Sequence, residues 1–144
     1  MGTRIAKRIL IVDDDQATRC TIRGMLQGSE VEPCELIEAA NGTECLMAVE
    51  HQGPIDLILL DVEMPDIDGF SICRAIRTVN ASVPIVFVTA HGEVKDRADG
   101  RRAGGDSYLV KPVQPASLLS LVNLLTNTQK RENGTPVKAA STAA

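Results

Sequence analysis

Residues 57–69 read Leu57-Ile58-Leu59-Leu60-Asp61-Val62-Glu63-Met64-Pro65-Asp66-Ile67-Asp68-Gly69, and how the first five are taken decides the fold. Four apolar residues in succession, without the alternation of a half-exposed strand, describe a strand covered on both faces. Asp61 ends the run, and Asp68-Gly69 is a turn signal. Ile9-Leu10-Ile11-Val12 and Ile85-Val86-Phe87-Val88 repeat the pattern. The spacing predicts strands over 8–12, 35–39, 55–60, 84–88 and 107–110.

Between the strands the apolar period changes to that of a helix. It places Ile22, Met25 and Leu26 in 16–26, Cys45, Leu46 and Val49 in 43–50, and Phe70, Cys73 and Ile76 in 69–79. A leucine-rich helix follows at 115–127, and a weaker one at 93–103 carries Val94 and Ala98 but also Gly100. Strands alternating with helices specify a doubly wound α/β domain: a five-stranded parallel sheet, helices on both faces, right-handed crossovers. In the last helix the apolar side chains spread over about 220°, wider than one buried stripe needs. Leu119 or Leu124 should therefore stay partly exposed, as part of a contact surface built with strand five and its flanking helices.

A chain of 144 residues, 44% hydrophobic, supports one core. The domain is expected over 8–128, after a short extension at 1–7. Residues 129–144 lack apolar periodicity and read as a disordered tail or linker remnant. The net charge of −4, the absence of a dense basic cluster, and only two Phe and one Tyr argue against direct nucleic-acid binding. Cys20, Cys34, Cys45 and Cys73 show no paired spacing, and His51 and His91 stand at no ligand distance from them, so the thiols read as reduced residues, buried or nearly so. No secretory apolar region, myristoylation pattern or membrane-length segment is present, and together with unpaired thiols this predicts a cytoplasmic protein without a membrane partner.

In an open parallel sheet, ligands bind beyond the carboxyl ends of the strands. Those ends carry Asp13-Asp14-Asp15, Asp61, Thr89-Ala90 and Lys111-Pro112. Carboxylates from neighbouring strands repel unless a cation lies between them, and Mg2+, with Mn2+ as alternative, suits an all-oxygen site shared with a phosphate. A lysine and a hydroxyl nearby suit the remaining phosphoryl oxygens. Singly, each residue has a plainer role: Asp13 to Asp15 as helix caps, Asp61 as a strand end, Thr89 as a strand residue, Lys111 as a solvated charge. Their coincidence at separate strand ends favours a joint chemical role.

These motifs, with Val86-Phe87-Val88-Thr89-Ala90 and Tyr108-Leu109-Val110-Lys111-Pro112, make the chain resemble the response-regulator receiver family over about 8–128. The resemblance implies the flavodoxin-like strand order 2-1-3-4-5. It implies a phosphoacceptor at Asp61, fed by a histidine kinase or histidine phosphotransfer protein, in a two-component or phosphorelay system. Asp13, Asp14, Asp61 and the main-chain carbonyl of Glu63 would hold the metal. Lys111 would pair with the phosphoryl group, Thr89 would close over it, Pro65 and Gly69 would shape the loop, and Lys111-Pro112 would be cis. Tyr108 would swing inward as Thr89 moves; the plainer expectation is a half-buried aromatic with its hydroxyl in water. Glu63 and His91 stand where they could set the phosphate's lifetime. Val113 occupies a place where relatives often carry an aromatic residue, which bears on packing under the last helix.

Such a protein is no ordinary enzyme, although it would catalyse its own phosphorylation and dephosphorylation. Its signal would pass to a downstream effector or a second copy through strand five and helices four and five, either alone or as the receiver piece of a hybrid kinase or multidomain regulator. A haloacid-dehalogenase-like phosphohydrolase would carry Asp-x-Asp, but Glu63 stands in the second position and no cap domain fits. A flavin-binding module would need aromatic walls and a glycine-rich phosphate loop. A degenerate receiver would have lost acceptor, acid pair, Thr89 or Lys111, and all are present.

Overall fold

The computed structural model describes residues 7–28 and 34–130. In chain order the elements are β1 (Lys7–Val12), α1 (Gln16–Gln27), β2 (Cys34–Ala39), α2 (Gly42–His51), β3 (Leu57–Leu60), α3 (Gly69–Val79), β4 (Ile85–Thr89), α4 (Val94–Ala103), β5 (Ser107–Val110) and α5 (Pro115–Lys130). The five strands form one parallel sheet in the order β2-β1-β3-β4-β5, as expected for the flavodoxin-like topology.

Parity along each strand divides the core. Ile9, Ile11, Leu57, Leu59, Val86 and Val88 face α1 and α5, where Ile22, Leu26, Leu118, Val122 and Leu125 cover them. Leu10, Val12, Ile58, Leu60, Ile85 and Phe87 face the other way, against Cys45, Ile72, Cys73, Ile76 and Ala103 of α2, α3 and α4. Both faces are therefore dry, which explains the unbroken apolar runs. Val113 is half-buried and packs on the α1/α5 side, filling the place in question with a smaller side chain.

Caps set the helix starts. Asp15, Asn41 and Asp68 each accept a backbone N–H of the first turn, and Glu44 reaches back to the Ala40 N–H. α4 has no side-chain cap and stops at Gly104, whose φ of 108° suits only glycine. β3 begins two residues later than its apolar pattern suggests, because the Asp56 carboxylate takes the Arg8 N–H that a ladder carbonyl would otherwise accept. α5 continues to Lys130, so Gln129 and Lys130 are helical rather than tail: 126–130 carry no apolar residue, and an apolar period gives no sign of a helix there. The remainder of the expected tail, 131–144, and residues 1–6 of the expected extension lie outside the described residues.

Leu124 is 37% exposed on α5 while Leu118, Val122 and Leu125 are buried, as the wide apolar arc required. Cys45 and Cys73 are buried, which raises their thiols to about 12 and about 11, and Cys34 is half-buried. Cys20 departs from expectation: it lies on the solvent side of α1 and is exposed. No helix among the described residues is long and apolar enough to cross a membrane.

Candidate phosphoacceptor and metal site

Register brings the acids together. Val12 of β1 lies beside Leu60 of β3, so the next residues, Asp13 and Asp61, leave the sheet side by side. The ladder runs one step past each strand, with Asp13 N–H donating to Ala39 O at 3.1 Å and Asp61 N–H to Val12 O at 3.0 Å. Both side chains are buried, while Asp14 points outward and is exposed. Carboxylate oxygens of Asp13, Asp14 and Asp61 all lie within 4.8 Å of one another, a separation one divalent cation can bridge.

Lys111 closes the group from the far side of the sheet. Its Nζ donates to Asp13 Oδ2 at 2.8 Å and reaches Asp61 Oδ2 at 3.5 Å. The Lys111–Pro112 peptide bond that follows β5 is cis. Burial pushes Asp61 up to about 6, the nearby Asp13 charge adds to the rise, and Lys111 only partly offsets it. Burial also works against the charge on Lys111, but the hydrogen bond to Asp13 and the charges of Asp61 and Asp13 outweigh it and raise its pKa. One ammonium thus faces three carboxylates. The surplus negative charge, on hard oxygen donors, fits Mg2+ or Mn2+.

Asp15, on the rim of the same depression, is engaged elsewhere. It caps α1, accepting from Ala17 N and Thr18 Oγ1 at 2.7 Å, so the capping role holds for this one acid of the three. Thr89, at the end of β4, is buried beside the site, and its Oγ1 accepts a long 3.4 Å contact from His91 N. His91 reaches across the mouth, placing Nε2 2.6 Å from Glu63 Oε2. The two positions proposed from sequence to act on lifetime are therefore paired with each other, a contact no spacing could have announced.

Glu63, Met64 and Pro65 line one wall of the depression, in the loop between β3 and α3. Glu63 N–H points back to Asp61 Oδ1 at 3.4 Å. Gly69 is needed where the loop turns into α3, because a Cβ there would meet Asp61 O at 2.2 Å and Val62 Cα at 2.8 Å. Asp66, which was not singled out from sequence, accepts four hydrogen bonds: three at the start of α2, from Gly42 N, Thr43 N and Thr43 Oγ1, and one from its neighbour Ile67 N. The backbone N–H donors of Gly42 and Thr43 hold its carboxyl well below the usual range. An acid one place after Pro65 was the only signal, and an exposed turn acid looks the same.

On the other flank, Tyr108 stacks obliquely on Phe87 with 5.8 Å between ring centroids, and the Arg97 guanidinium lies 5.4 Å from its ring centre. Its hydroxyl oxygen is buried and finds no hydrogen-bond partner among the described residues, so the expectation of a hydroxyl in water is corrected: Gly100 lets the ring settle close against α4. Burial raises the phenol to about 12. An unmet phenol costs on the order of 1–3 kcal/mol, which keeps this position of the ring from being deeply favoured.

The model of the response regulator receiver domain matches residues 9–123. The chain is 39% identical over 112 residues to a probable transcriptional regulator, ycf27, of Pyropia yezoensis, covering 78% of this chain and 44% of the relative. It is 37% identical over 137 residues to the response regulator MprA of Mycolicibacterium vanbaalenii, covering 94% and 57%. The chain thus spans about half the length of the curated relatives it matches. Among solved structures, a CheY-like response regulator receiver domain protein from Methanospirillum hungatei superposes with a TM-score of 0.80 at 29% identity, over 88% of this chain and 98% of that one. The fold, the acid cluster at its carboxyl edge and these matches agree, and the chain belongs to the response regulator receiver domain family of two-component signalling.

Proposed function

We propose that Asp61 accepts a phosphoryl group from a phosphohistidine of a histidine kinase or phosphotransfer protein, in a site completed by Mg2+. The observation that carries this reading is the contact of Lys111 with Asp13 and Asp61, which sets one cation and three carboxylates at the ends of β1, β3 and β5. At neutral pH most Asp61 is ionised despite its raised pKa, and its oxygen attacks phosphorus. The new P–O bond forms as the P–N bond to the donor imidazole breaks, and the imidazole leaves and takes up a proton. Asp13, Asp14, Asp61 and the Glu63 carbonyl would hold the metal, which when bound neutralises charge on the phosphoryl oxygens. Lys111 Nζ turns from Asp13 to one of those oxygens, and Thr89 Oγ1 donates to another. Hydrolysis reverses the switch: water attacks phosphorus, phosphate departs, and the Asp61 carboxylate is restored.

The reading of this state falls to the flank of β5, α4 and α5. There Tyr108, Arg97, Leu121 and Leu124 line a cleft of about 240 Å³. Movement of Thr89 toward the phosphate would free space for Tyr108 and alter this surface, for an effector or a second copy. Because the chain spans half of its relatives, the same switch could equally drive a further module of a longer regulator. Incubation with Mg2+ and acetyl phosphate should add one phosphoryl mass to the parent and none to Asp61→Asn. An unmodified parent, or an equal gain in the variant, would overturn the assignment. Leu124→Lys should weaken dimerisation or effector binding of the beryllofluoride-treated protein, and unchanged association would remove this flank as the output surface.

A further inference from the structure

We infer that Asp66 is a positioning residue for the metal: its carboxylate clasps the loop between β3 and α3 to the start of α2, and so holds the Glu63 segment ready for the ion. The inference rests on the reading of the acid cluster as a Mg2+ site. The loop from Asp61 to Gly69 is held by backbone hydrogen bonds at its ends, while Val62, Met64 and Ile67 pack against the core and Glu63 meets His91. At its ends, Asp61 N–H is tied to Val12 O, and Gly69 N–H donates to Val62 O at 2.7 Å with no room for a side chain. Between them Asp66 adds the tie to the start of α2. Oδ1 accepts from Gly42 N at 2.9 Å and Ile67 N at 2.8 Å, and Oδ2 from Thr43 N at 3.0 Å and Thr43 Oγ1 at 2.9 Å.

The contact is built from both sides. A Cβ on Gly42 would lie 2.4 Å from Ile72 Cδ1, 3.0 Å from Ile67 Cβ and 3.3 Å from Asp66 Oδ1, so only glycine lets α2 approach the loop this closely. The donors are the free N–H groups of a helix start, where a negative charge is favoured. α2 already has its own cap in Asn41, which accepts from Glu44 N at 2.8 Å. Asp66 is thus not required to start the helix. Its effect is to tether Glu63, Met64 and Pro65, two to four residues past Asp61, to a body that the sheet holds fixed. Without the tether that segment would have to be ordered each time the ion binds, and affinity would fall by the cost of ordering it.

The test uses the full chain and Mg2+ alone, titrated while backbone amide shifts are followed, with the acetyl phosphate reaction then run across Mg2+ concentration. Asp66→Ala should raise the half-saturating Mg2+ concentration about tenfold, the low end of what outer-shell partners of metal sites contribute. The phosphorylation rate at saturating Mg2+ should stay within about twofold, because the reacting groups are untouched. Asp66→Asn, which keeps one acceptor oxygen, should show a smaller rise. Asn41→Ala removes the other bond at the same helix start and should lower the thermal midpoint while leaving Mg2+ half-saturation alone. Half-saturation in Asp66→Ala within twofold of the parent overturns the inference. So does an equal rise in Asn41→Ala, which would reduce the effect to a loosened α2. If Asp66→Ala does not fold, an unshifted Asp66→Asn overturns it alone. A parent that neither binds Mg2+ nor gains a phosphoryl group instead overturns the underlying metal-site reading.

Discussion

The two flanks of the sheet are held very differently. β3 is buried at all four positions and α3 anchors itself through Ile72, Cys73 and Ile76, whereas all four residues of β5 are half-buried and α4 buries only Gly100 and Ala103. α1, α2 and α3 each start on a side-chain cap, while α4 starts on Glu93 with no cap bond. Asp61 therefore stands on ground fixed by packing, and the elements beside Thr89 and Tyr108 are attached by small residues and exposed charges. The switch proposed above would need this asymmetry. The group that reacts must be pre-positioned, and the surface that reports must lie at the low end of local stability.

The contrast is broken most directly by shortening one apolar side chain on each helix. Ile76→Ala on α3 should cost about 3 kcal/mol, because a fully buried side chain leaves a cavity. Val94→Ala on α4, 83% exposed, should change stability by no more than about 0.5 kcal/mol. Urea midpoints of the two variants would measure the difference, and equal losses would show that α4 is as firmly held as α3. Native-state hydrogen exchange offers the same comparison without mutation, with α4 amides exchanging faster than those of α3.

Fixing Asp61 in a buried acid cluster also has a cost that pH exposes. Its pKa stands at about 6 in the fold against an ordinary 3.8, so the folded state holds this proton more tightly than the unfolded chain. The associated stability is fully present below about pH 4 and is lost as pH rises through 6. Without Mg2+, Asp61→Asn should therefore gain on the order of 2 kcal/mol at pH 7.5 and nothing at pH 4. Added Mg2+ should raise the thermal midpoint of the parent well above its effect on the variant. A variant no more stable than the parent at pH 7.5 would mean that Lys111 already compensates the cluster.

The fold was legible because both faces of the sheet are dry, so the central strands announced themselves as unbroken apolar runs alternating with helical periods. The members of the site were legible for a related reason: a charged residue directly after such a run stands at the carboxyl edge of a parallel sheet. What the sequence hid were contacts between loops. Asp66 on Gly42 and Thr43, and His91 on Glu63, join segments whose spacing along the chain carries no period. The depth of Tyr108 was hidden likewise, since it depends on Gly100 lying against it. A glycine in a helix reads as weakness until its neighbour is seen.

That glycine gives a smaller test of the compliant flank. A Cβ at Gly100 would stand 3.1 Å from the Phe87 ring and 3.3 Å from that of Tyr108. Phe87 is fully buried and packs edge-to-face on Phe70, so Tyr108, only half-buried, must yield. Gly100→Ala gains helix propensity of about 1 kcal/mol and loses a comparable amount in contact, leaving stability within about 1 kcal/mol of the parent. The chain has one tyrosine and no tryptophan, so its ultraviolet fluorescence reports Tyr108 alone. The emission should change in intensity and become more accessible to a soluble quencher, as for an exposed phenol, before any phosphorylation. Unchanged emission would place the flexibility elsewhere than in this ring.

The smallest effect is expected where the two flanks meet, at Glu63 and His91. Glu63 belongs to the fixed loop and His91 to the segment leading into α4, so their 2.6 Å contact spans the mouth from the rigid side to the compliant one. Both side chains are well exposed, at 68% and 47%, and an exposed pair is worth at most about 1 kcal/mol. If the pair screens phosphorus from water, His91→Ala should shorten the life of the phosphorylated protein by no more than about fivefold. Glu63→Asn should do the same. The double variant should fall no further than either single one, because each substitution already breaks the whole contact. Additive losses would mean that the side chains act separately, and a lengthened lifetime would mean that one of them orients the attacking water instead of excluding it. Phosphate release followed after removal of the donor distinguishes the three. The fixed flank would then set how fast Asp61 is filled, and the bridge between the flanks how fast it empties.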